Sequence, residues 1–328
     1  MDTALQEFEI QRRWLRARAR CQGFNDYICA SCGCKAAGRN MGQTERRLIQ
    51  LPGSSLEVTL GGGESHRVPA ICASHPAGAF TEYAAELLAW TASTRVVCVN
   101  PRGIGGSSVV LSGQHTYTLE QMVDDIEQVR RQLAIDSWVF WGMSGGGWLG
   151  QIYAKRYPAS LRGLILESIC SCFRLRLADP NCVLSPFHPS WRPRLERLDL
   201  LSPGSHAEVG DAKTTEWTEV EGVGSVFRRS NGPALLVSPM PVTAEMRAAM
   251  PVLWTVDTRP HLGEIRTPAL VICGDSDPIV PVSHARALHE TITGSQFFLV
   301  EKGGHAPVTG RRPEFARVVQ RFLASLPR

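Results

Sequence analysis

The sequence holds no run of about eighteen consecutive apolar residues, the length a membrane-crossing helix needs, so no transmembrane span is expected. It is also short of net charge: 35 Lys and Arg against 31 Asp and Glu leave +4 over 328 residues. Apart from one N-terminal stretch the basic residues are scattered, so neither nucleic acid nor a membrane surface is expected as a partner. Met1 to Gln11 carries Asp2, Glu7 and Glu9 and no apolar core, which argues against a secretory signal there. No internal repeat or low-complexity tract is present. Cysteine is not scarce, at 10. In a chain of this size without a signal those thiols are expected to be reduced, in a cytoplasmic protein. Cys72, Cys98 and Cys273 fit that reading, since each lies in an apolar, strand-like run where a free thiol packs as a small hydrophobe. Hydrophobic content of 43% and charged content of 20% are ordinary for a soluble globular protein. The length suffices for one large core, or a core with a modest insertion.

Residues 1–40 differ from the rest. Ile10 to Arg20 is basic and helix-permissive, and leads into Cys21, Cys29, Cys32 and Cys34. Thiolates so close together can converge on one tetrahedral zinc. The spacing lacks two separated CxxC knuckles, however, and a poorly ordered, non-essential extension without metal is the expectation. Met41 opens what reads as the natural start of a domain. From there strand and helix signals alternate, the pattern of a mostly parallel sheet covered by helices. Leu48–Leu51 and Leu56–Leu60 read as a hairpin, and Val68–Ala73, Arg95–Asn100, Trp138–Trp141 and Leu161–Glu167 as strands. Helical periodicity marks Thr81–Trp90, Leu119–Leu133 and Gly146–Tyr157. Periodicity then fails over residues 171–263, rich in Pro, Ser, Arg and Trp, with only short helical pieces such as Thr243–Met250. So long an irregular loop is improbable inside a compact α/β sheet, and an inserted cap is expected. The alternation resumes with Ala269–Cys273, Val282–Leu288, Gln296–Val300 and Pro313–Leu323. The core is therefore expected to comprise residues 41–170 and 264–328, with eight strands.

The strongest chemical signal is Trp141-Gly142-Met143-Ser144-Gly145-Gly146-Gly147, where a strand runs through G-x-S-x-G into a helix. Glycines flank the serine because a strand-to-helix turn this sharp leaves no room for side chains. Such a turn lifts the Ser144 hydroxyl out of the sheet and sets the Gly145 N–H at a helix N-terminus, where an oxyanion could be held. A phosphate loop is excluded by the lack of a Lys-Ser/Thr pair at the required spacing.

Four further stretches stand around this elbow in order: Ser74-His75-Pro76-Ala77-Gly78, Asn100-Pro101-Arg102-Gly103-Ile104-Gly105-Gly106-Ser107, Gly274-Asp275-Ser276-Asp277-Pro278-Ile279-Val280-Pro281, and Gly303-Gly304-His305. With them, from about Gln50 to Leu326, the chain resembles the α/β-hydrolase superfamily, and within it the proline iminopeptidase and small-molecule esterase/lactonase branch. The resemblance implies a catalytic triad of Ser144 as nucleophile, His305 as base and Asp277 as the acid that orients it. Asp275 and Glu167 remain as other candidates for the acid. The implied oxyanion donors are the backbone N–H groups of Gly145 and Ala77, since Pro76 has none to give. Pro76 stands where the family usually has Gly, and Asn100 where it usually has Asp; Asn100 is expected to hold the Arg102–Gly106 turn.

His75, Met143, Trp217 and Trp254 are the candidate pocket residues. Trp191, Trp217, Phe227 and Trp254, all in the cap, could equally form its own core, whereas Trp141 and Trp148 are expected to pack in the main core. Cys170 and Cys172 are expected to be buried, inert thiols. The implied function is acyl transfer to water on a small carboxylic ester or lactone, with no cofactor. Two alternatives stand beside it. One is a proline iminopeptidase-like aminopeptidase cleaving an amide, for which Glu216, Glu219 and Glu221 could hold the substrate amine. The other is a hydrolase-fold receptor that binds without turnover.

Overall fold

The computed structural model describes residues 44–63, 69–79, 87, 94–108, 118–201, 215–229, 234–239, 242–307 and 313–327. The N-terminal extension with Cys21, Cys29, Cys32 and Cys34, the proposed start at Met41, and the helix expected over Thr81–Trp90 (except Leu87) lie outside them. Eight strands form one sheet: β1 (Thr44–Leu51), β2 (Ser54–Gly61), β3 (Ala70–Ser74), β4 (Val96–Val99), β5 (Trp138–Met143), β6 (Leu161–Glu167), β10 (Ala269–Gly274) and β11 (Gln296–Val300). Their order across the sheet is β1-β2-β4-β3-β5-β6-β10-β11. The β1–β2 hairpin and the β2–β4 pair are antiparallel, and every pair from β4 to β11 is parallel. The strands of the parallel portion are covered on both faces and accordingly read as nearly unbroken apolar runs, β5 and β10 being buried at every residue.

On one face lie α1 (Leu119–Gln132), α2 (Gly145–Arg156) and α7 (Val282–Thr291); α8 (Pro313–Ser325) closes the other with Phe315, Val319 and Phe322. Thr118 caps α1 by accepting the Gln121 N–H at 3.1 Å. Two groups of buried charges are paired. Arg102 meets Asp125 through two bonds of 2.6 and 2.8 Å, and Glu127 joins Arg130, Arg131 and Tyr153. Asn100 donates to Glu57 at 2.7 Å, and Glu57 also accepts the Gly106 N–H at 2.9 Å, which fixes the turn that follows β4.

Between β6 and β10 the chain leaves the sheet. Short helices α3 (Phe173–Ala178) and α4 (Arg192–Arg197) precede a three-stranded antiparallel sheet of β7 (Thr215–Val220), β8 (Gly224–Arg229) and β9 (Ala234–Ser238), and α5 (Ala244–Trp254) and α6 (Arg259–Leu262) follow. Sequence periodicity foresaw only helical fragments here. The sheet escaped it because β9 is buried at every residue and so does not alternate, while β7 is mostly polar. The segment enters and leaves through one neck, where Cys172 and Asp257 form an antiparallel bridge and the Thr258 N–H donates to the Ser171 carbonyl at 2.8 Å. Its apolar underside, including Phe227, Leu236 and Trp254, belongs to the same buried cluster as Trp148 and the sheet. Among the described residues no helix is long and apolar enough to cross a membrane.

Candidate active site

The end of β5 turns into α2 at Ser144, whose φ of 50° and ψ of −130° are strained for a residue with a side chain. The turn is possible only because glycine surrounds it: a Cβ on Gly142 would strike the Gly146 carbonyl, and one on Gly146 would strike the Ser74 carbonyl of β3. Backbone bonds pin the elbow, the Ser144 N–H to the Glu167 carbonyl at 2.9 Å and the Gly147 N–H to the Ser144 carbonyl at 2.8 Å. Gly145 is the first residue of α2, so its N–H is among those with no carbonyl to meet inside the helix.

Two loops bring partners to the serine. After β11 the chain turns through Gly303, whose carbonyl would collide with any Cβ on Gly274 at the end of β10. This backbone-to-backbone approach sets the His305 loop directly beside the Asp277 loop. His305 Nε2 lies 2.9 Å from Ser144 Oγ, and His305 Nδ1 lies 2.9 and 3.1 Å from the two Asp277 carboxylate oxygens. Asp277 is buried, and its Oδ1 also accepts the N–H groups of Ile279 and Val280 at 2.8 and 2.9 Å, which lock the carboxylate toward the ring. The other candidate acids are engaged elsewhere. Asp275 accepts the Ser276 hydroxyl at an exposed turn, and Glu167 accepts the Trp141 indole N–H at 2.8 Å.

Facing the elbow is the loop after β3. The Ala77 N–H donates to Nδ1 of His75 at 3.1 Å, so the amide expected to hold an oxyanion is engaged within its own loop. Because Nδ1 accepts, the neutral His75 ring carries its proton on Nε2. Burial, and secondarily the nearby His305, push the His75 pKa down to about 3, so the ring stays uncharged at neutral pH.

A cavity of about 990 Å³, its open mouth included, spreads over Ser144 and His305. Sheet-side residues His75, Ala77, Met143, Gly145 and Trp148 form its floor. Its roof comes from the segment between β6 and β10, through Phe173, Arg176, Leu236, Met250 and Leu253 among others. His75 and Met143 line the cavity, but Trp217 and Trp254 do not. They join a chain of tilted and edge-on ring contacts, Trp217 with Phe227 at 5.2 Å, Phe227 with Trp254 at 5.7 Å, and Trp254 with the lining residue Phe173 at 6.0 Å. Trp148, assigned from sequence to the core, is also a lining residue; four residues after Ser144, it lies one helical turn along on the same side of α2. Phe173 and Arg176 went unnoticed. Their signal was a cation sharing the helical face of Phe173 and Leu177, all three buried. Cys170 and Cys172 are buried outside the lining, and burial pushes the Cys170 thiol up to about 11, so Cys170 stays a thiol at neutral pH. Among the described residues no cluster of three or more His, Cys, Asp or Glu could hold a metal.

A parallel sheet whose central strand ends in a serine-bearing elbow, with histidine and carboxylate delivered by loops from later strands, is the framework of a hydrolytic enzyme. The chain belongs to the α/β-hydrolase fold family, whose model matches residues 68–308. It is 25% identical over 236 residues to a pimeloyl-[acyl-carrier protein] methyl ester esterase of Aeromonas hydrophila, covering 70% of this chain and 85% of the esterase. It is 22% identical over 219 residues to a proline iminopeptidase of Saccharolobus solfataricus, covering 63% and 69% of the two chains. Among solved structures, a proline iminopeptidase-related protein from Thermus thermophilus superposes with a TM-score of 0.62 at 18% identity, over 87% of this chain and 98% of that one.

Proposed function

We propose that the protein is a serine hydrolase that cleaves a small carboxylic ester or lactone through an acyl-enzyme on Ser144. The observation that carries this is the continuous hydrogen-bond line from Ser144 Oγ through His305 to Asp277, at 2.9 Å for each link, at the floor of a largely apolar cavity. A serine hydroxyl is a poor nucleophile until an imidazole takes its proton, and His305 Nε2 is within reach to do so. Asp277 fixes the ring with Nε2 toward the serine and balances the imidazolium that forms. The proton then passes from His305 to the leaving alkoxide, and water, deprotonated by the same ring, releases the acid. The Gly145 N–H at the start of α2 is suited to the tetrahedral oxyanion. The Ala77 N–H would join it by sharing or exchanging its bond to His75.

An ester is favoured over a peptide by the surroundings of the cavity. Glu216 pairs with Arg228 at 2.7 Å, Glu219 accepts the Ser225 hydroxyl at 2.5 Å, and Glu221 sits in the exposed β7–β8 turn. None of the three lines the cavity, so they offer no seat for a substrate amine. The test compares p-nitrophenol release from short acyl esters with proline release from a prolyl amide. Faster ester turnover, lost by roughly 10⁴-fold or more in Ser144→Ala, is expected. Folded protein that neither turns over esters nor reacts at Ser144 with a fluorophosphonate probe would instead be a binding protein.

A further inference from the structure

Arg176, on α3, is 4% exposed and lines the same cavity as Ser144 and His305. Its guanidinium carbon lies over the Phe173 ring at 4.7 Å and over the Trp148 ring at 5.7 Å, but the group makes no hydrogen bond or ion pair among the described residues, and its Nε is buried without a partner. A cation largely buried with no counter-charge among the described residues is costly to maintain, whereas a residue serving only to fill space there needs no charge. The two aromatic faces recover part of that cost through cation–π attraction. Among the described residues the lining offers, besides Arg176 and the two histidines by the elbow, no other ionisable group, and most of it is Met, Leu, Ile, Phe and Trp.

We infer that Arg176 anchors a carboxylate subsite, and that the substrate is an ester or lactone bearing a free carboxylate separated from the scissile carbonyl by an apolar stretch. The inference rests on the hydrolase reading above and supplies its substrate class. A carboxylate matches the guanidinium fork with two parallel bonds. A phosphate dianion would leave one charge uncompensated in an apolar enclosure, so a singly charged group fits better. Anchoring the far end of the substrate would convert binding energy into alignment of the carbonyl over Ser144.

The test uses two matched pairs of esters. Mono-p-nitrophenyl adipate and p-nitrophenyl hexanoate place a carboxylate or a methyl at the same distance on the acyl side. 4-Acetoxybenzoate and its methyl ester do the equivalent on the alcohol side. In at least one pair, wild-type kcat/KM is expected to favour the anion by roughly 10- to 100-fold. Arg176→Met should abolish that ratio, and Arg176→Lys, which keeps the charge but loses the fork, should retain part of it. Calorimetry adds a readout independent of turnover: monomethyl adipate should bind Ser144→Ala and not the Ser144→Ala/Arg176→Met double variant. Wild-type preference for the neutral member of both pairs, or an anion preference unchanged in Arg176→Met, overturns the inference. Turnover of neutral esters without anion preference sinks the subsite alone. Absence of all turnover and of fluorophosphonate labelling sinks the hydrolase reading, and the calorimetry still decides the subsite.

Discussion

At the scale of single residues, the site depends on groups held in one state by their neighbours. Asp277 is fixed by two backbone amides as well as by His305. Replacing it with Asn keeps the shape but can present an N–H to the ring, favouring the tautomer whose Nε2 already carries a proton. On the proposed chemistry Asp277→Asn should lower kcat by roughly a thousand- to ten-thousand-fold with little change in melting temperature. Steady-state kinetics beside calorimetry would check both halves. His75 carries a different prediction. Its folded pKa, about 3, lies below the ordinary 6.5, so between those values the unfolded chain binds a proton that the native ring refuses. Stability should therefore fall as pH drops through that window, by up to about 1.4 kcal/mol per unit from this group. Denaturant unfolding at pH 7 and pH 5 should give a smaller acid loss in His75→Asn than in wild type.

At the scale of elements, the turn after β4 shows why one departure from the family pattern fits its surroundings. Asn100 is buried, and its amide reaches the Glu57 carboxylate, which also accepts the Gly106 N–H. An Asp at position 100 would face that carboxylate with a second negative charge and no proton to offer. Asn100→Asp should destabilise the protein by about 1–3 kcal/mol at pH 7.5. The loss should shrink toward pH 5, because like charges raise the carboxyl pKa and the folded form then takes up a proton. Unfolding curves at the two pH values would read the difference. The elements themselves were legible to unequal degrees. The strands of the main sheet stand out as apolar runs punctuated by glycine, and the elbow as a serine between glycines at a strand end. The sheet of β7–β9 was not legible, since its pattern depends on which face of each strand another part of the chain covers. For the same reason the sequence left Trp217 and Trp254 between two readings, cavity lining and the segment's own core. An aromatic residue in a roof is visible in sequence, but the side it turns to is decided by packing partners such as Phe227 and Phe173.

At the scale of the whole molecule, the segment between β6 and β10 behaves as part of the main body. Its underside shares a buried cluster with the sheet, the Val183 N–H donates to the Pro278 carbonyl at 2.7 Å, and His284 of α7 meets Asp179 at 3.1 Å. Thermal unfolding is accordingly expected as one cooperative transition, with tryptophan fluorescence and far-ultraviolet dichroism giving the same midpoint. A fluorescence transition several degrees below the dichroism one would show that the roof melts alone.

The neck at Cys172 and Asp257 has a further bearing on how such a protein can change over time. Because departure and return occur side by side, residues can be gained or lost between them without shifting the register of β6 on β10. The roof over the serine can thus be rewritten like a pendant on a single stem, provided the replacement keeps an oily underside, and new substrates become reachable while the machinery beneath stays as it was.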